Sequence, residues 1–390
     1  MISFISKDEC CGCGSCVQKC PHDCLVMDYD DEGFLYPKVD TTKCLGCNVC
    51  VSVCFVKKER KQISSFELFA AKCNDDTIRF SSSSGGIFTS LAQWIIKQDG
   101  VVFGAGYDQN FDVYHSYALT DDELSKHKKS KYSQSDIRNS FKEVKMFLEL
   151  GKKVLFSGLP CQVAGLKEYL QADYDNLYSI DLMCSSVASP KVWKSYISWL
   201  EDVAKSQVAS VTFRDKEIDG VALRPNQGNI SIKIFFKNNT QIYQRYGVKE
   251  NESSFFAGFI AKLFCRPSCH NCPTRCFTSG SDLTIGDFWG IEQIRPEICD
   301  RHEDGTVMPF GVSEVIVLNE KGKTLFNNIR DNISCIRISE TDIEKMKRFP
   351  NWHVLFSSSK PHINRDKFFN DFIVKKAKGS IDSIIRKHLS

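Results

Sequence analysis

CCGCGSCVQKCP at residues 10–21 and CLGCNVCVSVC at residues 44–54 decide how this chain is read. The first run sets Cys10, Cys13, Cys16 and Cys20 at gaps of two, two and three residues, with Pro21 behind the last. The second repeats that spacing at Cys44, Cys47, Cys50 and Cys54, 34 residues later. Two-residue gaps let a short loop curl round one compact metal–sulfide cube and offer three thiolates from one side. Gly12, Gly14 and Gly46 let backbone approach the inorganic sulfide, where amide hydrogens tune the potential. Zinc is the competing chemistry, but its sites use two CxxC knuckles across a longer loop. Doubled runs of the present spacing are specific to [4Fe-4S] clusters.

In two-cluster ferredoxins with this pattern the fourth cysteine of each run ligates the other cube. The expected sets are Cys10, Cys13 and Cys16 with Cys54, and Cys44, Cys47 and Cys50 with Cys20. Phe55 replaces the proline that usually follows the second run, which loosens a turn and removes no ligand. Cys11 and Cys24 are surplus and read as bystander thiols. The chain has 19 cysteines, ten of them between Cys10 and Cys54 and four between Cys265 and Cys276. An odd total in tight clusters fits metal ligation and not a disulfide framework, and implies a reducing, anaerobic cytoplasm.

At 390 residues, with 42% hydrophobic and 25% charged residues, the chain suits two or three globular domains. A net charge of +3 gives no support to a nucleic-acid partner or a membrane surface. No apolar stretch reaches the roughly 18 residues of a membrane span, and MISFISKDE lacks the features of a secretory signal. The expected fold is an α+β ferredoxin-like N-terminal domain followed by an α/β body with a mixed sheet. SFELFAAKC, VVFGAGYD, KKVLFSG and LYSIDLMC read as strands. A helix follows SSSSGG, with Ile87, Leu91, Trp94 and Ile95 on its apolar face, and another follows GLPC. GNISIKIFFKNNTQIYQRYG reads as a hairpin turning at Asn238 and Asn239.

The loop Ser81–Gly86 opens a helix, a place that favours phosphate, although a plain serine cap is as common. CRPSCHNCPTRC holds Cys265, Cys269, Cys272 and Cys276. Cys161 and Cys184 each follow a strand, and strand ends converge in α/β folds. A third cluster assembled from separate segments is therefore one reading of these cysteines, and small buried packing residues are the other.

Taken together these motifs resemble one family, the beta subunit of coenzyme F420 hydrogenase/dehydrogenase in its version with an N-terminal ferredoxin domain. The matching stretches are SSGGIFTSLA (83–92), VVFGAGYD (101–108), KSKYSQSDI (129–137), VLFSGLPCQVAGL (154–166), DLMCSSVASPKVW (181–193), FRDK (213–216), CRPSCHNC (265–272) and SDLTIGDFWGI (281–291). The resemblance implies a two-cluster domain over 1–64, flavin-binding and third-cluster regions over 65–150 and 151–345, and a helical tail over 346–390. It implies FAD, with Ser83, Ser84, Gly85 and Gly86 by the phosphates and Lys131, Tyr132 and Ser133 lining the site. Asp287 and Trp289 would shape the pocket or build a turn. Cys161, Cys184, Cys269 and Cys272 would hold the third cluster, with Cys276 as an alternate and Cys265 ranked lower. Leu159–Pro160–Cys161 and Cys184–Ser185–Ser186 depart from the family's usual residues. The second lacks a histidine, for which His115 or His270 are candidate substitutes.

The implied function is an iron–sulfur flavoprotein oxidoreductase. It would pass electrons between a two-electron small-molecule substrate and ferredoxin or a partner redox subunit. The substrate would be of the F420 type or a small metabolite, polysaccharide precursors being one class. The rival reading is a non-catalytic electron-transfer adaptor. The basic KKAKGS run near the C-terminus reads as solvated surface.

Overall fold

The computed structural model describes residues 5–63, 65–216, 231–301, 303–305, 311–348, 354–374 and 380–389. Each N-terminal cysteine run leads into one turn of helix, Ser15–Gln18 and Val49–Ser52. Each turn is entered through a left-handed residue, Gly14 at φ 76° and Asn48 at φ 60°. Between them β1 (Leu25–Tyr29) and β2 (Leu35–Val39) pair antiparallel. The unit's own buried cluster is little more than Cys16, Cys20, Cys24 and Leu25. So small an apolar core calls for metal or covalent staples.

The body follows in chain order with β3 (Glu67–Cys73), β4 (Val101–Tyr107), β5 (Val113–Ala118), β6 (Val154–Gly158) and β7 (Leu177–Leu182). The chain then builds a separate four-stranded sheet from β8 (Val208–Phe213), β9 (Ser231–Phe236), β10 (Gln241–Tyr246) and β11 (Glu252–Ser253). It returns with β12 (Leu283–Asp287), β13 (Ser313–Val317) and β14 (Ile333–Arg337) to complete an eight-stranded sheet ordered β14-β3-β13-β12-β7-β6-β4-β5. The pairs β4–β6, β6–β7 and β7–β12 are parallel, and the flanking pairs are antiparallel. The sheet is therefore mixed, as expected. The hairpin forms between β9 and β10, with Asn239 at φ 64° in its turn.

Both faces of the large sheet are covered, which is why its parallel strands read as continuous apolar runs. Along β4, Val101 and Phe103 face the helices Ser140–Glu149 and Pro160–Leu170, while Val102 faces the helix Ile87–Lys97. Ile87, Leu91 and Ile95 are buried there as the helical period requires, with Trp94 partly buried beside them.

Strands β6, β7 and β12 run the same way and finish at one edge, with Gly158 level with Asp181 and Leu182 level with Ile285. Cys161, Cys184 and Trp289 follow those three ends. β13 runs oppositely and starts at the same edge with Ser313, against which the loop Ser81–Gly86 packs. The C-terminal helices Arg365–Val374 and Ile381–Leu389 are part of a core. Phe368, Phe369, Phe372 and Ile385 join Trp193, Tyr196, Phe255 and Phe264 there, together with Phe34 from the β1–β2 turn. Residues 375–379 of the KKAKGS run lie outside the described residues. Among the described residues no helix is long and apolar enough to cross a membrane.

Candidate metal centres

Among the described residues, three voids are ringed by cysteine. The first, about 380 Å³ of empty space, is lined by Cys10, Cys11, Cys13, Cys16 and Cys54 with Gly12 and Gly14. The second, about 350 Å³, is lined by Cys20, Cys24, Cys44, Cys47 and Cys50 with Gly46. The third, about 530 Å³, is lined by Cys11, Cys161, Cys184, Cys269 and Cys272. The last cysteine of each N-terminal run thus stands with the first three of the other.

The donor sets fit iron–sulfur cubes. No Asp or Glu lines any of the three voids, and His22 at the second is the one histidine among their lining residues; donor sets so dominated by thiolate suit Fe–S chemistry. Among the described residues no three His, Cys, Asp or Glu side chains converge closely enough for a single ion. Zinc at about 2.3 Å from each sulfur would need thiols about 3.8 Å apart. In the second void Cys20 Sγ and Cys24 Sγ come that close, at 3.4 Å, but among the described residues no third donor completes a single-ion site with them. Burial pushes the Cys13 thiol up to about 12 and the Cys184 thiol up to about 11. Such thiols ionise in place against a cationic partner, and bound iron is one.

Local structure explains how the third set meets. Cys161 is the second residue of the helix Pro160–Leu170, whose proline start suits the helix N-terminus and whose dipole favours negative charge there. Cys184 lies just past β7, and the Arg275 guanidinium fixes that strand end by donating to the carbonyls of Cys184, Ser185 and Val354. Cys269 and Cys272 come from the short turn Pro267–Asn271 and its cap. Cys265 and Cys276 do not line the third void: Cys265 Sγ meets Oγ of Ser186, a residue of its wall, at 3.1 Å, and Cys276 Sγ points to the Phe356 carbonyl at 3.8 Å. His115 stacks on Phe156 with Nε2 at 3.1 Å from the Ser157 carbonyl, and burial pushes it down to about 4. His270 Nδ1 meets the Ser359 carbonyl at 2.8 Å. Neither histidine lines the third void.

The residues expected round a flavin gather at the same sheet edge in two groups. Ser83 Oγ accepts from the amide and hydroxyl of Ser130 at 2.9 and 3.0 Å. Ser84 Oγ donates to the Val312 carbonyl at 3.1 Å, and the Gly85 amide to Ser313 Oγ at 3.0 Å. A Cβ on Gly85 would meet the Ala71 carbonyl oxygen at 2.6 Å, and Gly86 has φ 84°, so chain packing alone demands both glycines. Lys131 Nζ donates to the carbonyls of Lys126, Lys128 and Lys129, and burial pushes it down to about 7. In the second group Tyr132 packs against Phe213, Phe256 and Phe259. Asp287 pairs with Arg214, whose guanidinium lies 5.4 Å from the centre of the Trp289 ring.

Two residues without an assigned role in the sequence join these groups. Lys216 Nζ donates to the carbonyls of Arg79 and Ser84 at 2.6 and 2.8 Å, and Arg214 reaches Asp287. Their signal was faint: two cations two residues apart, in FRDK, directly after an apolar strand. Ser133 Oγ and Arg214 Nε are buried with no hydrogen-bond partner among the described residues, which suits a polar ligand at this edge.

Profiles of known families match three stretches of the chain. Residues 9–58 match the 4Fe-4S dicluster domain. Residues 68–142 match the N-terminal part, and residues 151–343 the C-terminal part, of the coenzyme F420 hydrogenase/dehydrogenase beta subunit. Among curated proteins, coenzyme F420-dependent sulfite reductase of Methanocaldococcus jannaschii is 29% identical over 185 residues, 46% of this chain and 28% of that protein. Pyruvate synthase subunit PorD of Methanothermobacter marburgensis is 32% identical over 54 residues, 14% of this chain and 57% of that protein. The chain spans less than two thirds of the length of either relative. Among solved structures, a chain of the xenon-derivatised F420-reducing [NiFe] hydrogenase complex from Methanosarcina barkeri aligns at 14% identity with a TM-score of 0.45, covering 77% of this chain and 97% of that one. The two beta-subunit profiles together take in well over half of the residues, behind a 4Fe-4S dicluster domain, and the chain belongs to the coenzyme F420 hydrogenase/dehydrogenase beta-subunit family.

Proposed function

We propose that this chain is an oxidoreductase subunit with three [4Fe-4S] clusters and one FAD. Cys10, Cys13, Cys16 and Cys54 hold the first cluster, Cys20, Cys44, Cys47 and Cys50 the second, and Cys161, Cys184, Cys269 and Cys272 the third. FAD lies along Ser83–Gly86, Lys131–Ser133, Asp287 and Trp289. The observation that carries the reading is a shared wall: Cys11 lines both the first and the third void. Electrons leaving the sheet edge therefore have a single residue to cross before the N-terminal domain.

When bound, the clusters supply one-electron steps and the flavin converts between those and two-electron chemistry. The chain's own residues provide spacing and dryness. Phe55 and Ala164 seal the junction between the first and third voids. At the other end Cys47 is exposed and Leu45 is 73% exposed. That loop is the outlet to ferredoxin or a partner redox subunit. Arg214 and Lys216, with the N-terminus of the helix Ile87–Lys97, supply the positive potential that flavin phosphates need. The two-electron partner is a deazaflavin of the F420 type or another small metabolite, polysaccharide precursors among them.

The adaptor reading keeps one specific observation in its favour: the Ser83 and Ser84 hydroxyls and the Lys131 ammonium are already engaged by the protein itself. Flavin analysis of protein purified without oxygen separates the two. The flavoprotein reading predicts about one FAD per chain, and an Arg214→Gln variant that loses flavin while keeping its iron. A chain that takes up no flavin on incubation with FAD, its clusters intact, is the adaptor.

A further inference from the structure

Arg266 sits between Cys265 and the third-void cysteines and is 1% exposed. Its donors reach neutral acceptors: Nε donates to the Cys10 carbonyl at 2.9 Å, Nη1 to Gln134 Oε1 at 2.8 Å and Nη2 to the Leu35 carbonyl at 3.0 Å. The guanidinium also lies 4.1 Å from the centre of the Tyr36 ring and 5.5 Å from that of Phe34. Among the described residues no carboxylate pairs with it. Carbonyl dipoles satisfy the hydrogen bonds and leave the charge uncompensated, and a buried charge without a counter-charge is strongly unfavourable.

The missing negative charge has an obvious place. Arg266 lines the third void. It reaches the first through the Cys10 carbonyl and through Gly12, where a Cβ would lie 2.9 Å from Nη1. A [4Fe-4S] cube with four thiolates is a dianion when oxidised and a trianion when reduced. No Lys or Arg lines the second void. Arg275 also lines the third void, but its guanidinium is directed to carbonyls on that side alone.

We propose that Arg266 is the fixed counter-ion shared by the first and third clusters, and that it raises the potentials of both. A guanidinium beside a cube favours the more negative, reduced form, and the dry junction strengthens the effect. When one electron leaves the reduced third cluster and arrives at the oxidised first, the negative charge facing Arg266 stays constant in total. The transfer thus never leaves the field of this residue. Arg266 acts through the clusters as a positioning residue, and the inference rests on the three-cluster reading above.

The test uses the full chain, purified without oxygen, as the natural protein and as Arg266→Gln and Arg266→Lys. Iron and acid-labile sulfide are counted first, and midpoint potentials are then followed by electron paramagnetic resonance during a redox titration. The expected result for Arg266→Gln is full iron with lowered first- and third-cluster potentials. At a fixed potential their reduced-to-oxidised ratio falls about ten-fold, about 59 mV for one electron, while the second cluster keeps its value. Arg266→Lys, which keeps the charge and loses the fork, recovers most of the shift. Unshifted potentials at full iron overturn the inference, as does an equal shift of all three clusters. If the glutamine variant loses iron, the lysine variant decides: near-natural potentials support the inference, and lowered potentials or lost iron reduce Arg266 to a structural clamp. About eight irons in the natural protein would instead refute the three-cluster reading, an outcome distinct from all of these.

Discussion

Glu314 shows what a single buried group does to stability. It stands on β13 level with Gly286, is 2% exposed, and its Oε1 has no partner among the described residues. Burial, with the nearby Asp287 charge as a lesser cause, pushes its carboxyl up from 4.5 to about 8. Between those values the folded chain holds a proton that the unfolded chain has released. Its contribution is therefore fully present below about pH 4.5 and is lost as pH rises through 8. Glu314→Gln removes this dependence. Denaturant unfolding should show the variant gaining on the natural protein by on the order of 2–4 kcal/mol between pH 5 and pH 8. Parallel pH profiles would contradict that. Gly12 and Gly46 make a second contrast. Both have positive φ, but a Cβ at Gly12 would meet Gln134, Leu35 and Arg266 within 3 Å, whereas Gly46 has open space. Gly46→Ala meets no protein atom, so it should cost the left-handed backbone term, about 1–2 kcal/mol, and whatever crowding it brings to the cluster in the void it lines. Gly12→Ala adds a clash, and should lose iron to a chelator markedly faster; equal rates for the two variants would count against the packing described. At this scale the N-terminal cysteines were legible because their spacing is local. Arg266 was not, because its hydrogen-bond partners Cys10, Leu35 and Gln134 lie more than 120 residues away in sequence.

Among the elements, β6 and β7 were legible from their apolar runs, and so were the helices opened by SSSSGG and LPC, whereas β12, the third strand ending at the shared edge, was not read as a strand from SDLTIGDFWGI. Which cysteines those ends bring together was only partly legible. Cys265 and Cys269 sit four apart in one short segment, yet one thiol turns to Ser186 and the other to the third void. Sequence spacing does not carry that information: Cys265 is fixed by a bridge to Ala188, whereas Cys269 lies in the short helical turn Pro267–Asn271 that follows. Cys161→Ser should lose about four irons per chain, while Cys265→Ser and Cys276→Ser keep full iron. Iron analysis of the three variants checks it, and loss from Cys265→Ser with retention in Cys161→Ser would reverse the ligand assignment. The charged strand end FRDK was quoted in the sequence without a role, because nothing in an isolated tetrapeptide says that Arg214 and Lys216 will be buried between two loops.

Across the whole molecule, the N-terminal cluster domain is built into the body and does not hang from it. Phe34 from its hairpin turn is fully buried in the C-terminal core. Glu32 in the same turn pairs with Arg365 at 2.5 Å and accepts from Ser189 Oγ through its carbonyl, while Asp31 accepts from Lys191. A domain with so slight a core of its own draws on these contacts and on its metal. The first void shares Cys11 with the third at the sheet edge and adjoins the second through the cluster of Cys16, Cys20, Cys50 and Cys54, and the second reaches the exposed Cys47 loop. The measurement that tests this account most directly is the iron and acid-labile sulfide content per chain of protein purified without oxygen. Three clusters predict about twelve of each, with Cys161, Cys184, Cys269 and Cys272 protected from alkylation until the iron is removed. About eight of each, with those four thiols reactive from the start, would contradict it.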